Sequence, residues 1–254
     1  MTNVKQMLNK VPEVTFYFWI IKIACTTVGE TAADYLAFNL HFGLSNTTIL
    51  MSVLLVLGLF IQFKMKKYVP WTYWLAVVLI SIVGTLITDN LTDNLDVALE
   101  LTTTIFSIAL AITFILWYAF EKTLSIHTIF TTKRETFYWI AILFTFALGT
   151  AAGDLIAEQF KVGYFNSGLL FGGLILAVTI SYYAFKINVV LSFWIAYILT
   201  RPLGASIGDY LSQSHKHGGI GLGPTKTSVY LLILIFSLII YLSITKKDVT
   251  KISD

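Results

Sequence analysis

Residues 18–36 read "FWIIKIACTTVGETAADYL". As a helix this run is about long enough to cross ~30 Å of hydrocarbon, which takes roughly 20 residues. It nevertheless carries Lys22, Glu30 and Asp34. The same pattern returns as "YWLAVVLISIVGTLITDNL" from Tyr73, "YWIAILFTFALGTAAGDLI" from Tyr138 and "FWIAYILTRPLGASIGDYL" from Phe193. In each, an aromatic residue precedes Trp, Gly follows Trp by ten residues, and Asp follows Gly by five. The sets are Trp19/Gly29/Asp34, Trp74/Gly84/Asp89, Trp139/Gly149/Asp154 and Trp194/Gly204/Asp209. Four ungapped matches mark an internal repeat. Their starts lie 55, 65 and 55 residues apart, which places the length changes in the loops.

The rest of the chain fits this unit. Of 254 residues, 57% are hydrophobic and only 12% charged, whereas soluble domains are nearer a quarter charged. Eight apolar runs are expected to span as helices: about 14–38, 47–64, 71–91, 101–120, 136–158, 166–186, 188–212 and 226–245. Helices are required because hydrocarbon offers backbone groups no water, and no alternating ten-residue strands of a barrel appear. The predicted fold class is all-α, a polytopic membrane protein of eight transmembrane helices. They form four parallel two-helix repeats with pseudo-symmetry about the membrane normal, in a single domain with units at about 12–68, 69–130, 131–188 and 189–246. Two spans per unit make every copy enter from the same side, unlike the inverted repeats of many transporters.

Loop charges orient the chain. One side holds Lys5, Lys10, Lys64, Lys66, Lys67, Lys122, Lys133, Arg134, Lys186, Lys246, Lys247 and Lys251; the other holds Lys161, Lys216 and Lys226. Both termini are therefore expected in the cytoplasm, and no cleavable signal peptide is read in "MTNVKQMLNKVPEV". The single cysteine, Cys25, excludes an intramolecular disulfide.

The repeat resembles a bacterial family of integral membrane proteins, often called membrane-anchored proteins. That family is built from four tandem units, each with two transmembrane segments and a Trp. The resemblance covers nearly the whole chain, including "KVPEVTFYFWIIKIACTTVGETAADYL". It implies the architecture and a bacterial inner-membrane (plasma-membrane) setting. The family's function is unknown, so it implies no activity.

The motif residues carry the functional expectations. Trp19, Trp74, Trp139 and Trp194 read as an interfacial aromatic belt or as packing residues. Gly29, Gly84, Gly149 and Gly204 read as close helix contacts, since small residues let backbones approach in lipid. Pro202 predicts a kink in the fourth copy. From a helix start near Thr15, Asp34 lies ~28 Å along at 1.5 Å per residue, towards the outer end of the span. Four carboxylates at one depth, Asp34, Asp89, Asp154 and Asp209, suggest a site for a small cation. The residues four before them, Glu30, Thr85, Thr150 and Ala205, share their helix face. One turn earlier come Thr26, Ser81, Phe146 and Arg201. Arg201 is expected to pair with Asp34 or Glu30. Lys22 is expected to pair likewise or to snorkel to the cytoplasmic face.

The candidate substrate- or ion-binding set is thus Glu30, Asp34, Asp89, Asp154, Asp209, Thr26 and Arg201. His215 and His217, an H-x-H on an outer loop beside Asp209, are candidate ligands for a transition metal. "TTVG" at 26–29 matches part of a potassium-channel filter, but its counterparts "ISIVG", "TFALG" and "TRPLG" do not. The expected function is a membrane transporter or channel for a small cation, with a divalent metal or a proton-coupled solute as candidate substrates, using the carboxylates of the repeated motif helices. The alternative is a non-transport scaffold or sensor whose Asp residues cap and pack helices. No enzyme constellation, nucleic-acid partner or organic cofactor is expected. The expected partners are the lipid bilayer and a small cation or solute.

Overall fold

A computed structural model describes residues 8–249. Of the loop cations expected on one side of the membrane, Lys5 and Lys251 lie outside the described residues. Among the described residues eight long helices follow one another: α1 (Phe16–Asp34), α2 (Leu44–Lys64), α3 (Pro70–Asp89), α4 (Leu99–Glu121), α5 (Thr132–Asp154), α6 (Tyr164–Phe185), α7 (Val189–Ser212) and α8 (Pro224–Thr245). Local sequence sets their ends. Thr15, Thr131 and Asn188 cap α1, α5 and α7 through their side-chain oxygens, which satisfies orphan amide donors. Pro70 and Pro224 open α3 and α8, where a missing N–H costs nothing.

Seven of the eight helices are long and apolar enough to cross a membrane. The protein is therefore multi-pass in character. The exception is α1, diluted by Lys22, Glu30 and its threonines. The spans read from sequence agree with these helices within a few residues. What sequence missed is a π-helical turn after each of the first three motif helices: Tyr35–Asn39, Asn90–Asn94 and Leu155–Gln159. In the fourth, α7 runs as one α-helix through Pro202 to Ser212. The kink expected at Pro202 is thus no break in the helix.

The four motif helices, α1, α3, α5 and α7, pack in order and α7 returns to α1, forming a closed ring. Each plainer helix lies outside. It packs not on its own motif helix but on that of the following copy: α2 on α3, α4 on α5, α6 on α7, and α8 back on α1. Short loops allow this because each one only has to reach the neighbouring groove.

One contact repeats around the ring. A Cβ at Gly29 would strike Ser81, at Gly84 Phe146, at Gly149 Arg201, and at Gly204 Thr26. Each partner stands three residues before the next copy's glycine, and the last contact closes the circle. The glycines therefore set the helix spacing, as small residues do in lipid.

At the end where the motif helices start, a strap of irregular chain, Asn9–Glu13, is buried against them: Asn9 is 5% exposed, Lys10 6% and Val11 4%. Lys10 Nζ donates to Glu135 Oε2 at 2.5 Å and to the Phe63 carbonyl at 3.0 Å. Glu13 faces His127 across 3.6 Å.

Two predictions follow from this packing. Gly84→Ala would place a Cβ 2.6 Å from that of Phe146, whereas Gly173 has nothing within 4 Å. Gly84→Ala should cost about 1–3 kcal/mol by overpacking, read as a lowered melting temperature in detergent, while Gly173→Ala should leave it unchanged. The His127 imidazole is raised above its ordinary value, chiefly by its hydrogen bond to Glu13. A raised folded-state value means that its stabilisation is complete below about pH 6.5 and is lost as pH rises through the raised value. From about pH 6 to about pH 8 the wild-type melting temperature should fall further than that of His127→Gln.

Candidate functional site

The ring interior is lined by every fourth residue of each motif helix, as expected for one helix face. Five layers result. The first is Phe18, Tyr73, Tyr138 and Phe193, all buried; Tyr73 and Tyr138 share a hydroxyl hydrogen bond of 2.6 Å. The second is Lys22, Val77, Ile142 and Tyr197, each 0% exposed. The third is Thr26, Ser81, Phe146 and Arg201, again fully buried. The fourth is Glu30, Thr85, Thr150 and Ala205. The fifth is the carboxylates Asp34, Asp89, Asp154 and Asp209; the first three are half-buried and Asp209 is buried. Solvent reaches the ring from the carboxylate end, and the opposite end is closed.

Arg201 organises the centre. Its guanidinium reaches into the fourth layer and is held by all three other motif helices. Nη2 shares its two N–H groups among three acceptors within reach: Glu30 Oε2 at 2.9 Å on α1, Thr85 Oγ1 on α3 and Thr150 Oγ1 at 2.7 Å on α5. Nη1 donates to the Thr26 carbonyl at 3.2 Å. The three side-chain acceptors occupy equivalent repeat positions. The fourth equivalent, Ala205, lies on α7 itself and is small. Of the two expected partners for Arg201, the structure brings it to Glu30 and not to Asp34. The planar fork suits this task, since one rigid group can satisfy several acceptors at once.

Lys22 neither pairs with a carboxylate nor snorkels. Its ammonium lies 4.1 Å from the centres of both the Phe146 and the Tyr197 rings, and Nζ has no hydrogen-bond partner. Cation–π contact replaces the expected ion pair; such contacts gain strength where water is excluded. The Arg201 guanidinium carbon lies 5.7 Å from the centre of the same Phe146 ring, so one ring faces both basic side chains. Sequence reasoning missed the role of Phe146, the aromatic that stands where the other copies hold Thr26, Ser81 and Arg201.

The carboxylates share one electrostatic field. Asp89 and Asp209 each lie within reach of Glu30, Asp34 and Asp154. None of the four makes a side-chain cap. The outer helices α2, α4, α6 and α8 begin at Gly43, Ala98, Gly163 and Gly223 without side-chain capping bonds, so the capping expected of the Asp residues is not made. Nor is the Trp belt. Trp74, Trp139 and Trp194 are 1%, 3% and 4% exposed, because the ring and the outer helices enclose them; only Trp19 is half-buried.

The metal expectation is also corrected. Among the described residues no group of three or more His, Cys, Asp or Glu could hold a metal ion. His215 and His217 sit on a short 3-10 turn, where His217 Nδ1 lies 3.1 Å from Ser214 Oγ. The loop conformation turns this pair to its own backbone turn and brings in no carboxylate.

Removing one partner of a buried ion pair strands the other's charge, at about 3–5 kcal/mol. Arg201→Met should therefore lower thermal stability sharply. Arg201→Met combined with Glu30→Gln should recover much of the loss, and a double-mutant cycle in detergent measures the coupling.

Comparison with known proteins adds a family but no activity. No curated protein and no solved structure matches the chain significantly. A family model matches four tandem stretches, residues 17–68, 72–123, 137–188 and 192–248, together most of the chain. Each contains one ring helix and the outer helix that follows it. The chain belongs to the family described as Repeat of Unknown Function (DUF347), in four tandem copies.

Proposed function

We propose that this protein is an inner-membrane transporter of a small cation, held here in a closed state. All eight helices span the membrane in this reading, with α1 shielded inside. The four parallel repeats surround an axis along the membrane normal. The strap end, rich in Lys and Arg, faces the cytoplasm, and the carboxylate layer faces outward.

The observation that carries the proposal is the stacking of two layers. In a ring of four carboxylates Asp34, Asp89 and Asp154 are part-exposed and Asp209 is buried, and directly beneath it a buried carboxylate, Glu30, is occupied by an internal cation, Arg201. Carboxylate rings concentrate cations. An arriving cation would compete with the guanidinium for Glu30, while Thr85 and Thr150 continue to hold Arg201. Exchange of one positive charge for another avoids stranding Glu30 in the core, which is the costly alternative. An open cation channel fits poorly, because Arg201 places a positive charge on the axis. Transport by alternating exposure fits both the acidic mouth and the cationic centre. The scaffold reading draws its support from the same Arg201 bonds, taken as permanent.

The test is cation flux into liposomes carrying purified protein, across monovalent and small organic cations, with and without a proton gradient. Replacing Asp34, Asp89, Asp154 and Asp209 together by Asn should slow uptake at low concentration about tenfold or more, as loss of a focusing anionic mouth does. Absence of flux for every cation, or equal flux in the variant, supports the scaffold reading instead.

A further inference from the structure

We propose that the strap Asn9–Glu13 is the inner gate of the ring, latched by the ion pair Lys10–Glu135. The purpose of such a gate rests on the transport reading; its geometry does not.

The strap precedes the first repeat match, which begins at residue 17. It bonds chain segments all round the closed end of the ring. Lys10 bonds the Phe63 carbonyl at the end of α2. The Asn9 carbonyl accepts from Tyr68 N–H at 2.9 Å, before α3. The Asn9 side-chain oxygen accepts from Ile129 N–H at 3.1 Å, and Lys10 N–H donates to the Ile129 carbonyl at 2.9 Å, in the link between α4 and α5. Glu135 belongs to the first turn of α5. Beyond α8, the Asp248 carbonyl accepts from Glu13 N–H at 2.9 Å, and the Asp248 carboxylate accepts from Tyr68 Oη at 2.5 Å. One short segment thus ties together the end of α2, the links before α3 and α5, the first turn of α5 and the segment after α8 at the ring's closed end. Directly above it lies the layer of Tyr73 and Tyr138, against which Tyr68 packs with ring centres 5.7 Å apart.

The latch is polar where an apolar plug would seal equally well. Lys10 and Glu135 side chains are 8% and 1% exposed. Gln62 donates to Glu135 at 3.3 Å, and Thr72 to Gln62 at 2.9 Å. A buried, fully bonded pair gains little over apolar packing, because its Coulomb attraction offsets desolvation. When the strap lifts, both charges regain water. Such a contact is therefore releasable, and it holds one register in the closed state.

The chain supplies its own reporter. Cys25 is the only cysteine, is 0% exposed, and adjoins Thr26 of the third layer, so a reagent from the strap side reaches it only when the strap lifts and the first two layers part. A small, membrane-impermeant thiol reagent applied to the strap side of oriented vesicles should label wild-type Cys25 slowly. Lys10→Met and Glu135→Gln should each speed labelling about tenfold or more, since one stranded charge favours the open form. The reversed pair, Lys10→Glu with Glu135→Lys, should restore protection, and it also serves if a single variant folds poorly. From the carboxylate side labelling should stay slow, behind Arg201. Unchanged labelling in both single variants overturns the gate, and so does equal acceleration from both faces, which means general loosening. Because labelling needs no transport, latch-dependent labelling without flux would remove the transport reading and leave the gate. Flux without latch-dependent labelling would do the opposite.

Discussion

One guanidinium fixes the centre of this molecule. Four helices in a closed ring present four equivalent positions to a common space, and a carboxylate at one of them, Glu30, needs a cation beside it. Arg201, from the layer below, satisfies Glu30, Thr85 and Thr150 at once. A buried carboxylate and a buried cation are each prohibitive alone and tolerable together. The asymmetry among the repeats follows from this. One copy supplies the cation, one the carboxylate, two the hydroxyls, and the donor copy keeps Ala205 small where its own Arg passes.

The glycines make that centre reachable. Each admits the residue three before the next glycine, so backbones approach closely enough for one side chain to touch three neighbours. Wider spacing would open a void along the axis and place the acceptors beyond hydrogen-bond reach of a single guanidinium. The outer helices then cover the ring by packing one copy ahead. That offset staples each unit to its successor and leaves no unit able to bury its own motif helix, which is the common logic of repeat proteins.

Much of this was legible in the sequence. The Trp-x9-Gly-x4-Asp spacing gave the number of units, the helix ends within a few residues, and the shared face of Glu30, Thr85, Thr150 and Asp. The Arg201–Glu30 pair was one of two pairings expected. Other features depend on which helix neighbours which, and periodicity within one helix carries no such information. Trp74, Trp139 and Trp194 read as an interfacial belt because their burial needs neighbouring copies to cover them. Lys22 read as half of an ion pair because its aromatic cage comes from α5 and α7. The π-turns after α1, α3 and α5 follow no distinct residue signal. His215 and His217 read as ligands because an H-x-H spacing says nothing about the loop that must fold it toward a third donor.

The most direct measurement is an experimental structure of the protein in a lipid nanodisc, resolved well enough to place the Arg201 side chain. The account predicts a closed ring of α1, α3, α5 and α7 with the guanidinium bonded to Glu30, Thr85 and Thr150 beneath the four aspartates. An Arg201 that faces lipid or the outer helices, or an α7 that does not return to α1, would contradict it.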